Sequence, residues 1–213
     1  MKIATVILLI VTSLLSCKKS SISLNHSNQN KFIALQPLGE YNNENLVNLR
    51  DQLSDFFKTP ILILKPVNIP ETFRSNYDNR YSADSLALFL SNFCNDTIVD
   101  VVGLMHEDIY TMHIEKAEMN NKRSVFIIRK KDIFGFGYVD GNSCVVSDYR
   151  LTSPDKELLN NRLRKVIIHE IGHNLGLAHC SVDSCIMSES NGNISVLNKI
   201  GGDYCNKCRR KLK

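Results

Sequence analysis

The sequence predicts a mixed α+β domain built on a mostly parallel sheet, closed by an irregular C-terminal lobe. Three observations lead there. Short apolar runs alternate with helical periodicity through the first hundred residues, in the order strand, helix, strand, helix, strand. That order implies parallel strands joined by crossover helices. A long helix then begins near Pro154 and runs into a cluster of histidines, and beyond Gly176 regular pattern gives way to cysteines and glycines.

Each element has its own signal. "KFIALQPLG" reads as a first strand ending at Pro37–Gly39. Leu46, Leu49, Leu53 and Phe56 recur at helical spacing. "PILILKPV" is an apolar run between prolines, hence a buried strand, and Ser82 caps a helix over "SADSLALFLSNFC". "DTIVDVVGLM" is a third strand. Residues 106–132 are polar and charged; "SVFIIR" has strand character and the remainder reads as an insertion or long loop. "FGFGYV" and "SCVVSDYRL" are two further strands. Pro154 falls in the first turn of the next helix, which carries Leu158, Leu159, Leu163, Val166 and Ile167 on one side.

At 213 residues the chain is long enough for one domain with a real core. Its 43% hydrophobic and 23% charged residues are those of an ordinary globular protein. A net charge of +4, much of it in the tail "RRKLK", is too mild to argue for nucleic acid. The N-terminus differs. After Met1–Lys2, residues 3–15 are mostly apolar, too short for a span of roughly 20 residues but of secretory h-region length. The stretch ends in "LLSC", which resembles a bacterial lipobox and implies cleavage after Ser16 with lipid on Cys17; a plain signal peptide or a short anchor, with Cys17 incidental, is the alternative. Residues 1–16 are then a lipoprotein signal peptide and 17–30 a polar tether. The mature protein is expected at the bacterial cell envelope, lipid-anchored, facing the periplasm or the cell surface.

The chemistry-bearing stretch is "HEIGHNLGLAHCSVDSCIMSES", residues 169–190. His169 and His173 lie four apart, so on a helix they share one face and can bind one zinc. Glu170 lies beside the first of them, where its carboxylate can act as base on a water. Gly176 can adopt a positive φ, stop the helix and turn the chain back, so that His179 supplies a third ligand. H-E-x-x-H-x-x-G-x-x-H thus has a geometric reason for each fixed position. Three protein ligands plus a water make an open, catalytic type of site, and the expected reaction is peptide-bond hydrolysis.

Four cysteines follow. Cys180 and Cys185 form one close pair, Cys205 and Cys208 another, separated by 19 residues, a spacing that fits a four-cysteine zinc site. In an exported chain, local disulfides Cys180–Cys185 and Cys205–Cys208 are the alternative. Cys94 and Cys144 read as buried thiols, with a disulfide as the alternative, and His26, His106 and His113 as surface histidines.

The full pattern H-E-x-x-H-x-x-G-x-x-H-C-x4-C-x-M-x17-C-x-x-C is met by His169, Glu170, His173, Gly176, His179, Cys180, Cys185, Met187, Cys205 and Cys208. It resembles the archaemetzincins, a branch of the metzincin zinc peptidases. The resemblance is strongest over residues 169–208, and "FGFGYVD" and "VVSDYRL" look like upstream strands of that family. It implies a metzincin-like fold with a mixed, mostly parallel five-stranded sheet and a catalytic domain over residues 31–208, followed by a basic tail, 209–213. It implies two zinc ions: a catalytic one on His169, His173 and His179, with Glu170 as general base, and a structural one on Cys180, Cys185, Cys205 and Cys208. Met187 would form a Met-turn beneath the histidines. "FGFGYV" is expected as the antiparallel edge strand, where an extended peptide or protein substrate could add as another strand. Two residues after Met187, where some metzincins carry a tyrosine, stands Glu189, so the sequence names no donor for a transition-state oxyanion.

The expected protein is a monomeric zinc peptidase with a membrane partner through its lipid and no nucleic-acid partner. Two other classes compete. A non-catalytic surface binding protein on the same scaffold would have no need of a base beside the metal. A thiol oxidoreductase using Cys205 and Cys208 would lack the usual βαβ context.

Overall fold

The computed structural model describes residues 31–119 and 123–212. The leader, the tether, Cys17 and His26 lie outside the described residues. In chain order the elements are β1 (Phe32–Pro37), α1 (Leu46–Phe57), β2 (Ile61–Ile63), β3 (Tyr81–Ser82), α2 (Ala83–Ser91), β4 (Ile98–Met105), β5 (Ile109–Met119), β6 (Arg123–Asp132), β7 (Gly135–Gly137), β8 (Ser143–Ser147), α3 (Lys156–Asn174), α4 (Ile194–Lys199) and α5 (Asn206–Lys211). Among these residues a five-stranded sheet has the order β2-β1-β4-β8-β7, and a three-stranded sheet the order β3-β5-β6. The larger sheet is parallel except for β7, which runs antiparallel to β8 with Phe136 opposite Val145. The mixed sheet with an antiparallel edge, expected from the resemblance, is therefore present.

Both faces of this sheet are covered, which explains why its strands read as unbroken apolar runs. Alternation along β4 sends Val102 and Leu104 into a core shared with α1 and α3. Val101 and Met105 point the other way, into a second cluster with Leu86 and Leu90 of α2. Ser82 caps α2 as expected, its Oγ accepting from the backbone N–H of Ser85. The start of α3 differs slightly: Asp155 is the cap, accepting from Glu157 and Leu158 N–H, so Pro154 precedes the helix rather than opening it.

The clearest departure is residues 106–132. In place of a long loop, β5 and β6 form an antiparallel ribbon in continuous register, with Ile114 opposite Ile128. Its alternation is real but inverted. One face is mostly polar, and the apolar residues of the other, Met112, Ile114, Phe126 and Ile128, are exposed. A strand with no buried face lacks the signal by which strands are recognised.

The terminal lobe has no core of its own. Ile186, Met187, Leu197, Ile200 and Tyr204 join the core beneath α3. Two buried cations on α3 hold it there. Arg162 donates to Asn198 Oδ1 (2.9 Å) and to the carbonyls of Leu151 and Thr152, while Lys165 Nζ donates to the Ile200 carbonyl at 2.6 Å. Arg162→Ala would leave three acceptors without this donor. We expect it to cost about 2–3 kcal/mol, read as a lower urea midpoint at unchanged slope.

Candidate metal centres and active-site cleft

Helix α3 ends by a defined device. Gly176 has φ +90°, and its N–H bonds to the carbonyl of His173 (2.8 Å) while the N–H of Leu177 reaches back to Gly172 (2.9 Å). That pair of bonds is a Schellman stop, which requires a left-handed residue after the cap. The chain reverses and brings His179 over the helix it has just left. Side-chain ligand atoms of His169, His173 and His179 lie within 4.8 Å of one another.

The backbone fixes the tautomers. His169 Nδ1 donates to the carbonyl of Ile186 (2.7 Å), and His173 Nδ1 to that of Leu177 (2.8 Å). Each ring then offers a bare Nε2, and these two atoms stand 3.1 Å apart. Two imidazole lone pairs facing at that distance repel unless a cation lies between them. Tetrahedral zinc with Zn–N of about 2.0–2.1 Å separates its nitrogens by about 3.3 Å, so the donor set fits. Burial pushes the His169 imidazole down to about 3, and it lowers His173 as well, so both are held neutral. The contact beneath the helix is equally specific. A Cβ on Gly172, between the two histidines, would sit 2.4 Å from Met187 Sδ. Met187 is fully buried against that turn.

Glu170 lies on the flank of α3 that faces β7. Burial pushes its carboxyl up to about 8, against a hydrogen bond from the Gly137 backbone N–H. A Cβ at Gly135 would meet Glu170 Oε1 at 2.8 Å, so the bare glycine lets β7 lie against the carboxylate. Phe134 to Gly137 form one wall of a cleft of about 490 Å³ whose floor carries His169, Glu170 and His173. "FGFGYV" thus lies beside the cleft as expected. The opposite wall comes from Ser188–Gly192 and the base of the ribbon, with Thr111, His113 and Lys131.

The four cysteine sulfurs also converge, all within 4.8 Å. Cys180 Sγ is 3.8 Å from Cys205 Sγ, and Cys185 Sγ is 3.8 Å from Cys208 Sγ. Four sulfurs at about 2.3 Å from a tetrahedral zinc stand about 3.8 Å apart, whereas a disulfide needs about 2.05 Å. The close pairs also cross between the two sequence motifs, unlike the alternative local bridges. Backbone amides support the cluster: Cys205 N–H donates to Cys185 Sγ at 3.3 Å, and the N–H of Cys208 holds the Cys205 thiol down at about 6. Cys144 is fully buried, and the Cys94 thiol donates to the Asn142 carbonyl at 3.1 Å.

Some neighbours had no sequence signal. Lys131 Nζ donates to Glu189 Oε1 (2.8 Å) and Asn191 Oδ1 (3.0 Å), tying the ribbon to the segment after Met187. Glu189 Oε2 stands 3.7 Å from His179 Nδ1. Beneath the site, Asn174 Nδ2 donates to Asp100 Oδ1 at 2.8 Å, both side chains buried, and burial pushes Asp100 up to about 7. A single acid inside the apolar run of β4 was the one hint of that pair. His106, expected at the surface, is half-exposed, paired with Asp148 at 2.8 Å and stacked on Tyr41.

Residues 38–213 match the profile of Peptidase family M54. An archaemetzincin of Methanocaldococcus jannaschii is 32% identical over 181 residues, covering 84% of this chain and 92% of that protein. One of Halobacterium salinarum is 37% identical over 97 residues, and the match spans 56% of its length and 41% of this chain. Among solved structures, an archaemetzincin of Archaeoglobus fulgidus complexed with malonate is 26% identical with a TM-score of 0.66, over 84% of this chain and 99% of that one. That of Methanopyrus kandleri superposes with a TM-score of 0.69 at 24% identity, covering 86% and 94%. With a profile matched over most of its length and a relative of comparable size at this identity, the chain belongs to peptidase family M54.

Proposed function

We propose that this protein is a zinc-dependent peptidase with one catalytic and one structural zinc, held at the bacterial cell envelope by a lipid on Cys17. The observation that carries the catalytic reading is the pair of bare Nε2 atoms, 3.1 Å apart, on the floor of an open cleft beside a buried carboxylate.

His169, His173 and His179 would hold the catalytic ion. When bound, zinc supplies a Lewis acid that makes a water acidic and polarises a carbonyl. The chain's own groups do the rest. The Nδ1 hydrogen bonds to Ile186 and Leu177 aim two ligands before any metal arrives. The Gly137 N–H favours the ionised form of Glu170 against the effect of burial, and it is that form that takes a proton from the attacking water and returns it to the leaving amine. β7 is the last strand of its sheet and lies on the cleft wall, so an extended peptide can pair with its outer edge. The four cysteines would hold the structural ion and fix the chain leaving His179.

Glu170→Gln should leave metal content unchanged and lower peptide hydrolysis by about 10²–10⁴-fold, measured on a peptide library with a chelator control. Retained turnover would exclude this base. Metal analysis should return two zinc ions per chain; one zinc with the four C-terminal thiols oxidised would overturn the cysteine site. Gly172→Ala drives a methyl into Met187 Sδ and should cost about 1–3 kcal/mol, together with weaker retention of the catalytic zinc in a competition titration. The same loss of stability with unaltered zinc affinity would show that Met187 does not support the histidines.

A further inference from the structure

We propose that Glu189 is a positioning residue for His179, the third histidine of the catalytic centre, and that Lys131 at the base of the ribbon holds it in place. This role rests on the reading of His169, His173 and His179 as zinc ligands. The three rings are not held alike. His169 and His173 each donate Nδ1–H to a backbone carbonyl. Among the described residues no backbone carbonyl accepts from His179, whose side chain is 46% exposed. A half-exposed imidazole keeps rotamer freedom that metal binding must remove. What faces its Nδ1 is a carboxylate, Glu189 Oε2, at 3.7 Å. That is beyond direct hydrogen-bond range, yet a full charge acts strongly at such a distance, and a small rotation of the exposed ring closes the gap. The carboxylate also selects the tautomer: the hydrogen sits on Nδ1 and the bare Nε2 is left for the metal.

Glu189 is itself fixed from the ribbon. Lys131 Nζ donates to Glu189 Oε1 at 2.8 Å while Oε2 is turned to His179, so one carboxylate bridges a cation and an imidazole. The same Nζ donates to Asn191 Oδ1 at 3.0 Å. A single half-exposed ion pair is a weak tether, but a backbone contact supports this one. Gly192, at φ +68°, lies so close to the end of β6 that a Cβ there would stand 2.7 Å from the Asp132 carbonyl oxygen. The Asp132 carboxylate is held in turn by Arg80 (2.6 Å) and Arg150 (2.9 Å). Residues 189–192 are thus clamped to β6 at both ends. A carboxylate behind a metal-bound imidazole orients the ring and raises its basicity. The partners behind His169 and His173 are neutral carbonyls, so Glu189 brings the negative charge to this set.

Competition with a chromophoric chelator, without substrate, reads how tightly the three histidines hold zinc, and a thiol reagent follows the four cysteines in the same sample. Glu189→Ala should weaken the histidine site about 10–100-fold and leave the cysteine thiols protected. Lys131→Met should weaken it about two- to fivefold, and should add nothing in the Glu189→Ala background, because the lysine acts through Glu189. In zinc-loaded protein with nitrogen-labelled histidine, the ring N–H of His179 should lose protection from exchange in Glu189→Ala while those of His169 and His173 keep theirs. General loosening of the segment would expose the His169 ring as well, since its acceptor is Ile186. Losses that add in the double variant overturn the proposal. So does unchanged zinc affinity in Glu189→Ala; a raised KM for basic peptides at that unchanged affinity would assign this cleft-lining carboxylate to substrate instead. Wild-type protein that holds zinc at the cysteines and none at the histidines would defeat the catalytic-zinc reading itself, and this role with it.

Discussion

Two nitrogen lone pairs pointed at each other across 3.1 Å are unfavourable without a positive charge between them, and the rest of the molecule is arranged to hold them there. Each ring is pinned from behind by a backbone carbonyl, one from Ile186 and one from Leu177. Neither carbonyl belongs to the body of the helix that carries the histidines. Ile186 comes from the terminal lobe, and Leu177 from just past the stop at Gly176. The geometry of the site therefore depends on where the chain goes after the helix ends. This is the general logic of metal sites, in which partners behind the ligands set ligand direction.

That dependence gives the terminal lobe its importance. With few apolar residues of its own, the lobe cannot offset the conformational entropy of its own ordering. It is attached by three different means: Met187, Ile200 and Tyr204 enter the core of the domain, Arg162 and Lys165 hold the α4 region from below, and four sulfurs gather at its end. The three overlap along the segment: Ile200 is both buried in the core and held by Lys165, and Cys185 and Cys208 belong to the same core as Met187 and Tyr204.

What could be read in the sequence was whatever is fixed by covalent-scale spacing. The His, Glu, Gly and Cys positions of residues 169–208 admit few geometries, and the histidines and cysteines gather as two separate clusters. The strands β1, β4 and β8 were legible because both faces of the sheet are covered, which leaves an unbroken apolar run. The ribbon was not, because its apolar side faces outward. Contacts between distant segments left little trace: Asp100 meets Asn174 across 74 positions, and Lys131 meets Glu189 across 58. Only the misplaced acid in "TIVDVVGLM" pointed to the first, and nothing pointed to the second.

The N–H of Cys180 bonds to the carbonyl of Met187 at 2.8 Å, so the stretch between them is a ring closed at its base. One end follows the last histidine, and the other is the methionine beneath the first two. That ring is a spacer of set length between the roof of one centre and the floor under it. Ser181 to Ser184, on its outer rim, are exposed. Composition can vary there, while a residue gained or lost would break the four-residue spacing between Cys180 and Cys185 and move His179 and Met187 apart in the same step.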